Sequence, residues 1–257
     1  MGEGLRQSLR KKLHRDAVNA VLCSCAVDAK LASRAALAYD RAVDFVRPPR
    51  SVPISLIAGK GHYESVVRAV LSAERSVWIS TANLKELMVE GPRLVPGQRR
   101  TARGAYRSII ALFDELAARG VELRILHAGF PSRAFREEFD QHPRLVAGGL
   151  ELRQCPRVHM KAVIVDAKSL YLGSANWTGA GLGAKGEGRR NFELGIVTAD
   201  EQLLDEVQSM FDFVWRGAGC VGCRLREECD APLDGLAKGK PPPKARVFVR
   251  VRPSRSE

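Results

Sequence analysis

The chain has 257 residues, of which 45% are hydrophobic and 27% charged, a balance that suits a folded soluble protein and excludes a disordered one. No apolar run approaches the roughly 20 residues of a spanning helix, and the basic N-terminus lacks the apolar stretch of a cleavable signal, so the expected location is the cytoplasm. A formal charge of +12 favours polyanionic partners, either nucleic acid or an anionic membrane surface.

In chain order, residues 1–50 read as an N-terminal helical segment, rich in alanine and leucine with no proline before Pro48. "RPPRSVP" breaks it, and a regular alternation of helices and strands follows. Residues 61–74 place Val66, Val70 and Ala73 on one helical face, and the β-branched run "SVWISTA" is expected to be a strand. "VEGPRLVPGQRRTARG" reads as a basic loop carrying Arg99, Arg100 and Arg103. A helix is expected over 104–119 through Tyr106, Ile109, Ile110, Phe113 and Leu116, ended by Gly120 and followed by the strand "VELRIL". A further helix over about 132–141 leads into "GLELRQ". "GAGLGAKGEGRR" is a glycine-rich loop, "NFELGIV" a strand, and 201–215 a helix with Leu203, Val207, Met210 and Val214 expected to face inward. The alternation predicts an α/β domain over 51–217, with a central sheet flanked by helices. Residues 218–257 read as a small cysteine-containing lobe with a basic tail.

Residues 158–181, "VHMKAVIVDAKSLYLGSANWTGAG", raise a question of chemistry. Strand alternation puts His159 and Lys161 on the same side as Val163 and Val165. "DAKS" makes a turn, after which Ser174 and Asn176 again share a face. A hairpin closed at that turn brings an imidazole, an ammonium, a hydroxyl and an amide to its open end, a set suited to stabilising an oxyanion beside a nucleophile. Glu193 in "RRNFELG" is the candidate carboxylate to fix the imidazole tautomer.

The pattern of His159, Lys161 and Asp166 followed by Gly173, Ser174 and Asn176 resembles the HKD motif of the phospholipase D superfamily. Asn191 and Glu193 resemble that family's trailing Asn-x-Glu, and the similarity spans roughly residues 52–216. The resemblance implies a phospholipase D-like fold and a phosphodiesterase that needs no catalytic metal. The histidine would attack phosphorus to give a phosphohistidine, with lysine and asparagine binding phosphoryl oxygens. Asp166 takes a supporting role. A complete site needs two such motifs. The other histidines stand as His14-Arg-Asp, His62-Tyr-Glu, His127-Ala-Gly and His142-Pro-Arg, none with the lysine. A homodimer, each copy supplying His159, would complete the site; single-motif members resemble bacterial endonucleases and a mitochondrial cardiolipin-hydrolase branch.

Three functions follow. A nuclease fits the net charge, the basic loop and the cations Arg189 and Arg190 as substrate-binding groups. A phospholipid hydrolase or phosphatidyl transferase uses the same chemistry at a lipid surface. A non-catalytic nucleic-acid-binding module keeps the charge but has no need of the intact motif.

"CVGCRLREEC" holds Cys220, Cys223 and Cys229. A pair spaced by two is good metal-ligand geometry, and cytoplasmic disulfides are rare. Cys155 is the expected fourth ligand, with Cys23 and Cys25 as rivals. Thiolates suit structural zinc or an iron–sulfur cluster.

Overall fold

The computed structural model describes residues 45–90 and 106–235. Contacts divide the chain into units Met1–Pro48 and Pro49–Glu257; the second is described here. The expected N-terminal helices with Cys23 and Cys25, the arginines of the basic loop and the basic tail lie outside the described residues.

Strand β1 (Ser55–Ala58) leads into helix α1, made of the segments Lys60–His62, Tyr63–Val67 and Arg68–Leu71, the middle one wound as a π-helix. Strands β2 (Ser76–Thr81), β3 (Met88–Glu90) and β4 (Tyr106–Ser108) precede helix α2 (Ile109–Ala118). Then come β5 (Glu122–His127), α3 (Arg133–Phe139) and β6 (Glu151–Gln154). The chain closes with β7 (Ala162–Val165), β8 (Ser169–Gly173), β9 (Leu194–Thr198) and α4 (Glu201–Trp215).

Among the described residues, seven strands form one mixed sheet in the order β1-β9-β8-β7-β2-β5-β6, and β3 and β4 form a separate pair. β2, β5 and β6 run parallel, each reached by a connection that carries a helix, whereas the β7–β8–β9 meander and β1 are antiparallel. The two halves meet where β2 pairs antiparallel with β7.

Both faces of this sheet are covered, and strand alternation sorts the side chains. Val77, Ile79, Leu123, Ile125, Val163 and Val165 enter the main core with Val66 and Val70 of α1 and Phe113 and Leu116 of α2. The intervening Trp78 and Ile164 pack on the opposite face, where α4 lies. Each fully buried large side chain contributes roughly 1.5–3 kcal/mol. β7 reads as an unbroken apolar run because it is buried on both faces.

Two expectations about helices need correcting. Residues 106–108 pair with β3, and α2 starts only at Ile109, where the Ser108 hydroxyl accepts the Ile110 N–H and caps the helix; Tyr106 is exposed. In α4 the buried residues are Leu204, Phe211, Phe213 and Trp215, whereas Leu203, Val207, Met210 and Val214 are half-buried. The larger area of Phe211 and Trp215, stacked on each other at 5.5 Å with Trp78 5.2 Å from Phe211, sets the rotation of the helix.

Candidate active site

The β7–β8 hairpin carries the motif. Val165 to Lys168 is a tight turn closed by the Lys168 N–H on the Val165 carbonyl (2.9 Å), with Asp166 and Ala167 both left-handed (φ 56° and 53°). That conformation is held from outside. Asp166 Oδ1 accepts the backbone N–H groups of Glu74 (3.2 Å), Arg75 (2.7 Å) and Ser76 (2.8 Å), and the Asp166 N–H donates to the Ser76 carbonyl. Burial alone would raise this carboxyl, but the three N–H groups outweigh it and hold its pKa below the ordinary value. Asp166 therefore ties the turn to the start of β2. It sits at the closed end of the hairpin, away from His159, where its contacts are those of the supporting role expected of it.

At the open end the Gly173 N–H donates to the Lys161 carbonyl (3.2 Å), which brings the segments bearing His159 and Ser174 side by side. His159 is exposed. The Lys161 ammonium lies 3.0 Å from Nδ1 and 3.1 Å from Nε2 of the His159 ring and donates to the His159 carbonyl at 2.8 Å. Burial lowers the Lys161 pKa, and the charge of Glu193 opposes that shift. Glu193 does not bond the imidazole, contrary to expectation. Its carboxylate accepts from the Ser174 hydroxyl and from Asn191 Nδ2 (3.1 Å). Ser174 is fixed further by the Leu194 N–H on its Oγ (3.2 Å) and by its own N–H on the Leu194 carbonyl (3.0 Å).

Asn176 points its Oδ1 at the end of β2, where it accepts the N–H groups of Ala82 (3.1 Å) and Asn83 (3.0 Å). Its Nδ2 has no partner among the described residues. Trp177 anchors the same turn. Its ring is buried against Phe113 at 6.0 Å, its N–H donates to the Thr81 hydroxyl, and its carbonyl accepts the Lys85 N–H.

The glycine of the motif is explained by its neighbour Tyr171. A Cβ at Gly173 would stand 2.3 Å from the Tyr171 hydroxyl oxygen, and one at Gly195, its register partner, 2.3 Å from the Tyr171 ring. The buried Tyr171 hydroxyl accepts the Ala175 N–H (3.2 Å) within the motif turn; burial pushes its pKa up to about 12.

His62 was not singled out as a site residue by sequence reasoning. It is fully buried, its ring meets the Tyr171 ring edge-on at 5.5 Å, and its Nε2 has no partner among the described residues. Burial lowers its pKa, against the Gly59 carbonyl on Nδ1 and the charge of Glu193. Only "GKGH" with its two glycines hinted at an unusual turn. Arg189 and Arg190 lie on the loop entering Asn191; Arg189 is exposed, and Arg190 Nε donates to the Lys185 carbonyl (2.8 Å). Cys155, Cys220, Cys223 and Cys229 are half-buried and free. Among the described residues no group of three or more His, Cys, Asp or Glu side chains is placed to hold a metal ion, so the four-cysteine site expected from the sequence does not assemble.

The sequence profile of the cardiolipin synthase, phospholipase D-like domain matches residues 66–215. The chain belongs to this phospholipase D-like family. Membership supports an enzyme of the phosphodiesterase type. No curated protein matches the chain. Among solved structures it is similar to NucT from Helicobacter pylori, at 18% identity over 63% of this chain and 94% of that one, with a TM-score of 0.44. It is similar also to Nuc from Salmonella typhimurium, a phospholipase D family member, at 19% identity over 64% and 95%, with a TM-score of 0.44. A third likeness is to phosphatidylserine synthase from Haemophilus influenzae, at 15% identity over 66% and 40%, with a TM-score of 0.42. Among the described residues no helix is long and apolar enough to cross a membrane.

Proposed function

We propose that this phospholipase D-like chain is a nuclease that cleaves phosphodiesters through a phosphohistidine at His159, in a site completed by a second copy of the chain. The observation that carries the chemistry is the exposed His159 ring with the Lys161 ammonium about 3 Å from both of its nitrogens. The ammonium stands beside the ring rather than along one in-plane lone pair, so the ring nitrogen stays available for attack on phosphorus while a bound phosphate anion would draw Lys161 to its oxygens. Asn176 Nδ2 supplies a further donor to the phosphoryl oxygens, and the Ser174–Glu193–Asn191 chain of bonds holds the wall in place.

An imidazole bonded to phosphorus cannot also protonate the leaving oxygen, so a second proton donor is required. Support for a second copy as its source comes from the sheet edge beside the site. Leu56 is 71% exposed, Leu194 59% and Phe192 108%. Leu56 lies on one strand of the β1–β9 pair, Leu194 on the other, and Phe192 adjoins Glu193. A contiguous apolar edge next to half a site is what a self-complementary interface would cover. The net charge of +12 and the cations Arg189 and Arg190 support nucleic acid as substrate. The same exposed Phe192 and Leu194 support a second reading, in which they dip into a lipid surface and the diester is a phospholipid.

Purified protein with chelator, offered labelled DNA, labelled RNA and cardiolipin vesicles, separates these readings. Nuclease activity whose affinity falls with log salt by about 0.7–0.9 per neutralised phosphate is expected; cleavage of vesicles alone would transfer the site to lipid. Sedimentation of a dimer that Phe192→Glu dissociates is expected too. An active monomer would refute the composite site.

A further inference from the structure

The parallel strands β2, β5 and β6 end together, and β7 starts beside them. Thr81 is in register with His127, His127 with Gln154, and Ser80 with Ala162. The segments at this edge of the sheet, residues 82–85, 128–132 and 155–161, therefore stand side by side, with His159 and Lys161 in the last. Between them they carry Lys85, Arg157 and Lys161 and no acidic residue, and Lys85 and Arg157 are exposed. The positive field thus extends past the candidate nucleophile toward the end of β5.

The middle segment holds a large apolar side chain at the surface. Phe130 is 58% exposed, on a turn that is bonded from several sides. The Ala128 N–H donates to the Thr81 carbonyl (3.2 Å) and the Gly129 N–H to the Ala82 carbonyl (2.9 Å). Gln154 Nε2 donates to the Ala128 carbonyl at 3.0 Å. The Gly129 carbonyl lies 2.9 Å from Nδ1 of the buried His127, and since a carbonyl only accepts, that nitrogen carries the proton. On the other side of Phe130, Pro131 is buried and its carbonyl takes Arg136 Nε (3.2 Å). The Arg136 guanidinium lies over the Phe130 ring, 4.6 Å from its centroid. Bonds on both sides of the ring hold it outside.

A single exposed apolar side chain is ordinary; the company of this one is not. Ala82 joins its turn to the candidate site, since the Ala82 N–H bonds Asn176 Oδ1 (3.1 Å) while the Ala82 carbonyl takes the Gly129 N–H. β5 lies two strand spacings from β7, roughly 10 Å. About three nucleotides cover that gap at the stacked rise of roughly 3.4 Å per strand.

We propose that Phe130 and Arg136 form a nucleobase subsite on which an unpaired base of a single-stranded nucleic acid stacks, with Lys85 and Arg157 holding neighbouring phosphates; this rests on the nuclease reading of His159 and narrows its substrate to single strands. Every base has a π-face, so such a platform accepts any sequence. A duplex keeps those faces inside its own stack and offers the ring only backbone. Arginine suits the place because a planar guanidinium stacks and still donates. A lipid headgroup would use the cations but has no flat face for the ring.

The test is binding by the full chain carrying His159→Asn, which leaves strands uncut, to labelled probes of about 15 nucleotides. The probes are single-stranded DNA, single-stranded RNA, duplex DNA and an abasic strand, with cardiolipin vesicles alongside. Adding Phe130→Ala should weaken single-strand binding about tenfold, the loss of one stacked base, and leave the Kd for the abasic strand and the duplex where it was. Phe130→Leu keeps apolar area without a π-face and should behave like Phe130→Ala, whereas Phe130→Trp should bind at least as tightly as the parent. Lys85→Gln should reduce the slope of log affinity against log salt by about 0.7. The loss in the DNA arm, the RNA arm or both supports the subsite and names the strand. An equal loss on the abasic strand, an unchanged single-strand Kd in Phe130→Ala, or weakened binding by Phe130→Trp would overturn it and leave the nuclease reading of His159 intact. Vesicle binding that Phe130→Ala abolishes, with no binding of any nucleic acid, would overturn both.

Discussion

At the closed end of the β7–β8 hairpin, three backbone N–H groups converge on the Asp166 carboxylate; at the open end, the His159 ring stands exposed with Lys161 beside it. Both ends carry polar side chains from one short motif, but they are satisfied differently. The closed end is bonded almost wholly to backbone of a distant segment, which fixes geometry and leaves nothing to offer a ligand. The open end mixes backbone bonds with side-chain contacts, and those of Lys161 with the His159 ring are ones a phosphate could replace. A motif residue can therefore be indispensable to the fold or to the chemistry, and the direction of its hydrogen bonds tells which.

The largest expected effect comes from removing the open end's ring. His159→Asn should lower diester cleavage at least about a thousandfold, with stability changed by no more than about 0.5 kcal/mol because the residue is exposed. Turnover near the wild-type level would end the proposal that this ring is the nucleophile. Lys161→Ala should cost about 10²–10³ in rate, again with a near-normal unfolding curve. In mixtures, excess His159→Asn chain should lower activity more than dilution does if the site is shared between copies.

Asp166→Ala should show the reverse pattern, losing about 1–3 kcal/mol of stability while activity per folded molecule stays within a few fold by active-site titration. A rate loss as large as that of Lys161→Ala would erase the distinction between the two ends. Its pH dependence has a definite sign. The folded carboxyl lies below its ordinary value of 3.8, so its stabilisation is present above that pH and is lost as pH falls through the folded pKa. Wild type and Asp166→Asn should therefore differ at neutral pH and converge in acid; a constant gap down to pH 2 would contradict this account. The smallest effect belongs to Tyr171→Phe, which deprives the Ala175 N–H of its acceptor and should cost about 1 kcal/mol, read by chemical denaturation.

Much of this contrast is legible in the sequence, because it depends on local periodicity. Alternation alone would pair His159 with Lys161 and Ser174 with Asn176, yet β7 starts at Ala162 and β8 ends at Gly173, so both pairs flank the strands and it is the hairpin turn that brings their segments to one end. The α/β class follows from the same alternation. What escapes is whatever depends on segments far apart in the chain. Asp166 is held by residues 74–76, and Glu193 is held by Ser174 and Asn191 and not by the imidazole. Neither partner leaves a local period. Apart from the glycines of "GKGH", His62 gives no signal because its burial beside Tyr171 depends on a segment distant in the chain. In α4 the apolar residues outnumber one stripe, so periodicity alone could not choose between the Leu203 face and the Leu204–Phe211–Trp215 face.

Asn176 has a consequence for how the protein tells one sign of charge from the other. An asparagine amide is normally free to rotate by half a turn and exchange its two ends. Here the Ala82 and Asn83 N–H groups capture the oxygen end, so the nitrogen end is left as the one available to a ligand. An aspartate at 176 would satisfy those two N–H groups equally well and leave the surrounding backbone undisturbed. It would present a negative oxygen where the native side chain presents a positive hydrogen. A single-atom exchange would thus be nearly invisible to the fold and would repel an anion at the open end, such as the phosphate of the proposed reaction.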